Sequence, residues 1–579
     1  MSAESFDLPL PPEPPPKVSR IGWLDWVRKN LFNSVFNGTL TVVLTAGLLL
    51  LILAVLRFVF SPDRRWEVMP PNAANYVVEA YPREDLFNMW LSLWIVAALA
   101  GFSTASWGMR GQVSVIKVVA AVRAIGATAL VVGVLSLWSP AGSATRTVLV
   151  WGGVALFGVG VGAMRLVREE REVSVARVLA VVGALLLGLI WYMPLESGTT
   201  WPLTITALVV VAFHWVGKLV GQRLSAGMMK RVITILWVLS FPVIYLHIQR
   251  NPDLAWEELT PWLPWAGLLI AAGPAVIWVV SRAGREQAAG VNFLLGAVAI
   301  YSWVIQWPMA IRVLFLLLTL FSLATPTFAA SPRARRAFYW TWLAGGLCTL
   351  YFFLAGIGST DLATRGHFLG GINLTILLAV GGTALSFPLG VMLALGRTSS
   401  MPIFRILSIV YIEVVRGVPL ITVLFFGDKV IPRFLPPGLD FAGEAKALLA
   451  ITAFSAAYLA ENVRGGLQAV SKGQTEASRA LGMTTAQMTM LITLPQALRV
   501  VIPALVGQAI ALFKDTSLVA IIGLADFLRV ARDIVPNQPD SLGSILENLL
   551  LAALVYWIFA FSFSRASLRL ERRLGVGTR

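Results

Sequence analysis

The chain has 579 residues, of which 57% are hydrophobic and only 13% are charged. Soluble domains carry roughly 25% charged residues, so this composition excludes a soluble globular enzyme, a disordered protein and a coiled coil. Long apolar runs also exclude an outer-membrane barrel, whose strands are short and alternating. We count about 16 apolar runs of the length that crosses a bilayer as a helix. The sequence therefore predicts an all-α polytopic membrane protein, because only helices satisfy their own backbone within lipid.

The net charge is +16, from 46 Lys and Arg residues against 30 Asp and Glu residues. Cytoplasmic loops of membrane proteins collect Lys and Arg, so this basic charge predicts no nucleic-acid partner. The single cysteine, Cys348, excludes a disulfide within the chain. The histidines, His214, His247 and His367, lie far apart, and we expect no metal site on them.

Taken in chain order, the first 20 residues are rich in proline and cannot pack a core. The first apolar run, near 40–60, is too long for the apolar region of a signal peptide and predicts a retained helix. A second helix is predicted near 87–107, and eight more between 114 and 330. The last six are predicted near 337–357, 370–395, 404–427, 445–463, 498–520 and 545–564. The expected segments are a cytoplasmic proline-rich tail (1–35), N-terminal transmembrane helices (36–110), an additional transmembrane block (111–335) and a C-terminal core (336–579).

Clusters of Lys and Arg at 17–29, 333–336 and 565–573 fall on one side of the membrane if the number of helices is even. Positive loops mark the cytoplasm, so both termini are predicted to be cytoplasmic, with loops 61–86, 248–262 and 521–544 outside. Within the block 114–330, Gly158 and Gly162 form a GxxxG pattern that favours close helix packing. We expect this block to be a scaffold or dimerisation layer, peripheral to any transport path.

Polar residues interrupt the apolar pattern only after residue 369, and charges there usually face a cavity or a partner. These residues are Asn373, Thr375, Glu413, Arg416, Glu461, Arg464, Lys514, Asp515 and Thr516. Glu413 with Arg416, and Glu461 with Arg464, could each close a structural bridge on one helix face. Alternatively, Asn373, Thr375, Glu413 and Arg416 face one cavity near the middle of the membrane. Pro419 predicts a kink or break after Glu413 and Arg416, a feature of substrate pathways in transporters.

A polar segment between two predicted spans, residues 474–499, has the pattern of two short helices. The first, 474–481, should end at Gly482 as a left-handed cap. Thr484 or Thr485 can then cap a second helix, which Pro495 should stop. Met488, Leu491 and Ile492 would form its apolar stripe. Such an exposed helix–glycine–helix unit is suited to docking on another protein, although an ordinary interfacial helix is the alternative.

This segment resembles the EAA loop of permease subunits of bacterial ABC importers, here spanning 464–499. The stretches 411–420, 457–466, 473–477 and 513–518 resemble the polar amino acid branch, and 564–573 resembles the second permease of general L-amino acid importers. The resemblance implies a type I ABC importer transmembrane fold with additional N-terminal helices. It also implies that an ATPase is contacted through the 474–495 loop, by Gln474, Glu476, Ala477, Gly482, Leu494 and Pro495.

The family further implies a bacterial inner-membrane location and several partners: a second permease or second copy, ATP-binding subunits and an external amino-acid-binding protein. The chain lacks the G-x-x-x-x-G-K-[ST] phosphate loop, so we expect a non-catalytic subunit whose partner binds ATP and Mg. Two alternatives stay open: a secondary transporter of small polar solutes, and a membrane scaffold or enzyme. The H-E-x-x-H and G-x-S-x-G motifs of hydrolases are absent.

Overall fold

The computed structural model describes residues 23–79, 81–106, 112–135, 143–166, 172–174, 183–184, 187–188, 191, 197–251, 257, 260–328, 331–354, 368–435 and 441–574. Its α-helices are α1 Trp23–Leu31, α2 Val35–Val59, α3 Ala73–Val78, α4 Leu86–Ser106, α5 Val115–Leu135, α6 Ser143–Leu166, α7 Ser197–Arg223, α8 Ala226–Pro242, α9 Leu263–Arg282, α10 Arg285–Val304, α11 Met309–Phe328, α12 Pro332–Leu354, α13 Gly371–Arg397, α14 Pro402–Gly417, α15 Leu420–Phe425, α16 Gly443–Ala469, α17 Lys472–Ala480, α18 Thr485–Met488, α19 Leu494–Asp515, α20 Phe527–Arg529 and α21 Ile545–Leu574.

Short helical turns of other types extend or join these helices. The π-helical turns are Val243–Gln249, Phe426–Val430, Thr489–Thr493 and Val530–Ile534. The 3₁₀ turns are Trp66–Val68, Arg83–Asp85, Thr260–Trp262, Ile431–Phe434, Thr516–Ile522, Val535–Asn537 and Pro539–Ser541. Two short strands, β1 Gln112–Ser114 and β2 Glu172–Ser174, pair as a small sheet.

Among the described residues, ten helices are long and apolar enough to cross a membrane, and eleven if one bent pair counts as a single span. The predicted all-α polytopic fold is confirmed, with the two short strands as its exception. Between 114 and 330, where eight spans were predicted without individual bounds, the structure describes seven helices, α5 to α11, and each of the other predicted spans has a helical counterpart. Most of residues 175–196 lie outside the described part of the chain.

The chain divides into two compact units, one of residues 1–64 with 112–173 and one of residues 65–111 with 174–579. In the first unit, α5 and α6 pack backbone against backbone. A Cβ added at Gly126 would lie 2.3 Å from the Phe157 nitrogen, and one at Gly153 would lie 2.5 Å from the Leu130 nitrogen. Gly158 and Gly162 make no close contact within the described residues, because a Cβ at either position would meet no described atom within 4 Å.

In the second unit, two groups of helices precede the C-terminal core. Helix α4 packs on α7 and α8, and the Trp237 indole donates a 2.9 Å hydrogen bond to the Ser103 hydroxyl. Helices α9 to α12 pack around the buried Trp342, whose indole nitrogen donates to the Ile270 carbonyl at 2.8 Å. Trp342 leaves no room for a side chain at Gly273, because a Cβ there would lie 1.9 Å from its indole nitrogen.

The C-terminal core is built on α13, α16, α19 and α21, with the bent pair α14–α15 beside them. The predicted break at Pro419 is confirmed: α14 ends at Gly417, and residues 402–417 and 420–434 meet at 109°. Proline lacks the N–H that would continue the helix, and its ring disfavours helix at the preceding residue. Val418 is accordingly extended, with φ −109° and ψ 136°.

Two apolar clusters hold this core together. One joins the N-terminal halves of α13 and α16 through Leu374, Leu378 and Ile451, and the other joins their C-terminal halves. Part of the middle block, residues 241–250, packs against this core, because Phe241 and Tyr245 lie in the first of these clusters.

The two loops predicted to lie on the same side of the membrane, 61–86 and 521–544, contact each other. Arg65 donates to the carbonyls of Asp540 and Leu542, at 2.7 and 3.0 Å. The Asn72 amide donates to the Ser541 hydroxyl at 3.1 Å. These contacts support a shared side for both loops.

Candidate functional site: docking loop, charged cluster and buried aspartate

We call residues 474–499, predicted to dock on another protein, the docking segment. Its first helix, α17, ends in a complete Schellman cap. The Gly482 N–H donates to the Arg479 carbonyl at 2.9 Å, and the Met483 N–H donates to the Ser478 carbonyl at 3.1 Å. Gly482 has a φ of +72°, in the left-handed region that glycine adopts without strain. The predicted left-handed cap is therefore confirmed, and it fixes the angle between the two short helices.

Thr484 caps the second helix through a reciprocal pair of hydrogen bonds. Its hydroxyl accepts from the Gln487 N–H at 3.3 Å, and the Gln487 side chain accepts from the Thr484 N–H at 3.0 Å. The expectation that Pro495 stops this helix is wrong, because helix continues from α18 through Thr489–Thr493 into α19. The π-helical turn changes the hydrogen-bond spacing just before the proline and so accommodates its missing donor.

The docking segment presents apolar side chains that nothing in the described structure covers. Leu481 is 81% exposed and Leu491 66% exposed, and Met490 is also exposed. The three residues of the predicted apolar stripe differ in exposure: Met488 is buried, Ile492 is half-buried and Leu491 is exposed. The stripe is therefore only partly packed against the rest of the chain. The remaining predicted coupling residues divide similarly: Glu476, Ala477 and Pro495 are exposed, Leu494 is buried, and Gln474 accepts a 3.4 Å hydrogen bond from Gln496.

Both predicted Glu–Arg pairs belong to one charged cluster that joins three helices. Glu461 and Arg464 close the predicted bridge on α16, with the guanidinium 2.9 and 3.0 Å from the same carboxylate oxygen. Glu413 instead pairs with Arg397 at the end of α13, at 2.8 Å, and Arg397 lies equally close to Glu461. Arg416 lies 3.7 Å from Glu461. We call Arg397, Glu413, Arg416, Glu461 and Arg464 the arginine–glutamate cluster.

Glu461 is the centre of the arginine–glutamate cluster. Its side chain is 16% exposed and contacts three arginines, whereas the Glu413 side chain is 55% exposed. Arg416 also lies over the Tyr458 ring, 5.4 Å from its centroid. Three arginines against two carboxylates leave one positive charge in excess. The Arg416 guanidinium lies 3.7 Å from Glu461 and is therefore not fully engaged by it. It can donate two hydrogen bonds to a further carboxylate, in the bidentate geometry that arginine favours.

The single-cavity hypothesis for Asn373, Thr375, Glu413 and Arg416 is wrong. Asn373 lies in the first turn of α13, and Arg397, which holds Glu413, lies in its last turn. At about 1.5 Å per residue these positions are about 36 Å apart, more than the thickness of a bilayer core. The two sets of residues therefore occupy opposite ends of the helix.

Thr375 lies instead beside a buried aspartate, Asp526, which directly precedes α20: the Thr375 hydroxyl accepts from the N–H of the next residue, Phe527, at 3.1 Å. The Asp526 carboxylate accepts from the N–H groups of Leu528 and Arg529, at 2.9 and 3.2 Å, and from the Tyr556 hydroxyl at 3.4 Å. Thr516 is also fully buried, and its hydroxyl donates to the Phe513 carbonyl at 2.8 Å. The remaining predicted residues beside Thr516 face outward, since Lys514 is exposed and Asp515 half-buried.

Burial of Asp526 predicts a pH-dependent stability. Loss of solvent raises the pKa of this carboxyl from 3.8 to about 6, against the opposing effect of its backbone and Tyr556 hydrogen bonds and of Arg532. Since one pKa unit is about 1.4 kcal/mol, the protonated carboxyl favours the folded state by about 3 kcal/mol below about pH 4. This contribution is lost as the pH rises through about 6. We expect Asp526→Asn to flatten the thermal stability of the purified protein between about pH 4 and 7.

The matched control for this prediction is Asp540→Asn. Asp540 is exposed, and its contact with Arg65 is made by its carbonyl group, which the substitution keeps. The control should retain the pH dependence of the parent protein. An unchanged pH profile for Asp526→Asn would exclude this carboxyl as its source.

Three polar residues of these sites, Arg397, Asp526 and Gln249, were not predicted from the sequence. Arg397 ends an apolar run, where a basic residue normally marks only the cytoplasmic boundary. Asp526 precedes α20 and has the pattern of an N-cap, a signal available in the sequence. Gln249 and Asn373 exchange hydrogen bonds across 124 residues, and no local pattern indicates such a pair.

Comparison with known proteins places the family relationship in the C-terminal core. Residues 386–576 match the family model of the binding-protein-dependent transport system inner membrane component. The inner membrane amino-acid ABC transporter permease protein YhdY of Escherichia coli (strain K12) is 50% identical over 181 residues, 31% of this chain and 49% of that protein. The glutamate/aspartate import permease protein GltK of Escherichia coli O157:H7 is 40% identical over 168 residues, 28% of this chain and 73% of that protein.

A solved structure described as an amino acid ABC transporter with histidines is 32% identical, covers 35% of this chain and 92% of that chain, and has a TM-score of 0.32. The chain spans about half of YhdY and 41% of the glutamate/glutamine/aspartate/asparagine permease BztC of Rhodobacter capsulatus. The expected type I importer permease core is confirmed by the family match. The chain therefore belongs to the family of binding-protein-dependent transport system inner membrane components.

Proposed function

We propose that the chain is the permease subunit of an ATP-driven importer of polar or general L-amino acids, and that it lies in the bacterial cytoplasmic membrane. The names of its relatives support this substrate class, since YhdY and GltK are both described as amino acid permeases. The observation that carries the proposal is the docking segment. Its capped helix–glycine–helix geometry displays Leu481, Met490 and Leu491 to solvent between two membrane helices.

The partner on this segment is a separate ATP-binding subunit, which binds the ATP and Mg that this permease does not hold itself. A rigid cap at Gly482 suits such a contact, because a fixed angle transmits motion of the ATPase to α16 and α19 as a rigid-body shift. Exposed leucines and methionine on a cytoplasmic loop are costly unless a protein covers them. Gln474, Glu476, Ala477, Leu494 and Pro495 shape this contact.

The other partners are a second permease, or a second copy of this chain, and an external amino-acid-binding protein. Both termini lie in the cytoplasm, and the loops 61–86 and 521–544 face the binding protein. With this orientation the arginine–glutamate cluster lies at the cytoplasmic end of the path and the Asp526 site at the outer end. The substrate route runs between these two ends, and its candidate residues are Asn373, Thr375, Lys514, Asp515 and Thr516 at the outer end and Glu413, Arg416 and Glu461 at the inner end.

Reconstitution tests this function directly. The complex that co-purifies with the tagged chain is placed in liposomes with the binding protein outside, and uptake of labelled glutamate, glutamine, aspartate and arginine is measured. We expect uptake only when ATP is enclosed, and none with a non-hydrolysable analogue, because energy enters through the ATPase. When ATP is enclosed, dissipating the ion gradient across the liposome membrane should leave uptake unchanged.

The same experiment separates the alternative of a secondary transporter. Uptake that proceeds without ATP and stops when an ionophore dissipates the ion gradient would overturn the proposal. Isolation of the tagged chain without any ATP-binding subunit, under conditions that retain uptake, would overturn it as well.

A further inference from the structure

A groove of about 500 Å³ lies between the end of α10 and the beginning of α11. Its lining is apolar and consists of Ala299, Ile300, Trp303, Val304 and Leu316. Ile300 and Val304 are 69% and 71% exposed, so the groove is open along the surface of the two helices. Both helices are long and apolar enough to cross a membrane, which places this surface within the bilayer. The groove is therefore accessible from the lipid and has the volume of a typical small-molecule site.

Arg312, in the first turn of α11, places a positive charge beside this groove, close to the membrane surface. Its Nε–H donates to the Trp307 carbonyl, and its guanidinium carbon lies 5.5 Å from the centroid of the Trp303 ring. Because Trp303 lines the groove, these two contacts hold the guanidinium next to it. Within the described part of the chain, the terminal nitrogens of Arg312 donate to no residue, and no carboxylate forms an ion pair with them. The described residues therefore leave this charge without a counterion.

The groove and the guanidinium together match the two parts of a phospholipid. A guanidinium binds a phosphate through two parallel hydrogen bonds, and an acyl chain covers apolar side chains without leaving a polar group unpaired. The charge of the headgroup follows from the surroundings of Arg312. A zwitterionic headgroup would bring an ammonium group, and no described carboxylate pairs with Arg312 that could also receive that ammonium. A headgroup with a net negative charge therefore complements this site better than a zwitterionic one.

We propose that the groove between α10 and α11 binds an anionic phospholipid. Arg312 holds the phosphate of the headgroup, and one acyl chain lies along Ile300, Trp303 and Leu316. The site lies outside residues 386–576, which match the family model, so it gives part of the middle block a ligand of its own. Binding of the lipid at this site does not depend on transport, and it is measured without transport.

Photo-cross-linking tests this site in the tagged chain together with the subunits that co-purify with it. The protein is placed in phosphatidylcholine nanodiscs that contain phosphatidylglycerol with a photoactivatable acyl chain, and the labelled peptides are identified by mass spectrometry. We expect label within residues 299–316. Unlabelled phosphatidylglycerol should displace it, whereas inorganic phosphate should not.

Two substitutions address the two parts of the site separately. Arg312→Gln should lower the label at 299–316 about tenfold, because it removes a charge-assisted contact with the phosphate. Val304→Trp should also lower it severalfold, with Arg312 in place, because the larger side chain fills the groove from an exposed position. The matched control is Arg282→Gln. Arg282 likewise lies over a tryptophan, 4.6 Å from the Trp278 ring centroid, but in the last turn of α9 and away from the groove, so the label should stay unchanged.

Equal labelling of 299–316 by a phosphatidylcholine analogue would overturn the proposal, because the groove would then be covered by bulk lipid only. Displacement of the label by inorganic phosphate would make the ligand a free anion and not a lipid. Label that is absent from the complex but present on the chain purified alone would show that a protein partner covers the groove, which also contradicts the proposal. If Arg312→Gln fails to fold, unchanged label on Val304→Trp still refutes a lipid in this groove.

Discussion

Replacing Gly482 with valine should lower ATP-dependent amino acid uptake at least about tenfold and weaken or abolish co-purification of the ATPase. Gly482 has a φ of +72°, which a β-branched residue strongly disfavours. The left-handed conformation costs an L-residue about 1–2 kcal/mol, and about 1.4 kcal/mol corresponds to a tenfold change in an equilibrium. An added Cβ meets nothing within 4 Å, so the effect comes from the backbone and not from a clash.

The matched control is Gly482→Asn, because asparagine tolerates the left-handed region far better than valine does. We expect it to retain most of the uptake and the bound ATPase. Both variants are compared by the amount of ATP-binding subunit recovered with the tagged chain and by uptake in liposomes. Full uptake by Gly482→Val, with the ATPase bound, would refute the coupling role of this cap.

The docking segment could be predicted because its geometry depends on neighbours in the sequence. A glycine after a short helix and a threonine before the next one form caps from residues within six positions of one another. Both caps are found in the structure at Gly482 and Thr484. The break at Pro419 was predictable for the same reason, since proline removes a local backbone donor. Pro495 shows the limit of this reasoning, because a π-helical turn just before it keeps the helix continuous.

Contacts between distant segments could not be predicted from one sequence. Glu413 and Arg416 have the spacing of a bridge on one helix, but the packing of α13 against α14 and α16 brings other partners closer. The spacing of side chains along each helix gives no information on how far two helices slide past each other. For the same reason, the pairing of Asn373 with Gln249 could not be predicted. Nor could the sequence show that Asn373 and Glu413 lie at opposite ends of α13.

Substitutions in the arginine–glutamate cluster should separate its structural role from its role in substrate binding. Glu461→Gln removes the carboxylate shared by three arginines and leaves Glu413 as the remaining acid of the cluster. Removing one partner of a buried ion pair is strongly destabilising, and the partial exposure of these arginines reduces the effect to about 2–3 kcal/mol. We expect a lower thermal stability and a lower yield of assembled complex.

Arg416→Gln should behave differently, because no carboxylate loses its last partner. Glu413 keeps Arg397 at 2.8 Å, and Glu461 keeps Arg397 and Arg464 at 2.8 and 2.9 Å. The complex should therefore assemble and retain its ATPase. If Arg416 holds the substrate carboxylate, uptake should fall about tenfold or more, because a hydrogen bond to a charged group contributes about 1.5–3 kcal/mol. Arg416→Lys should restore little, because lysine lacks the planar, two-pronged geometry. Assembly, ATPase content and uptake are measured on one preparation of each variant. Normal uptake by an intact Arg416→Gln complex would refute the binding role, whereas failure of that variant to assemble would make Arg416 a structural member of the cluster.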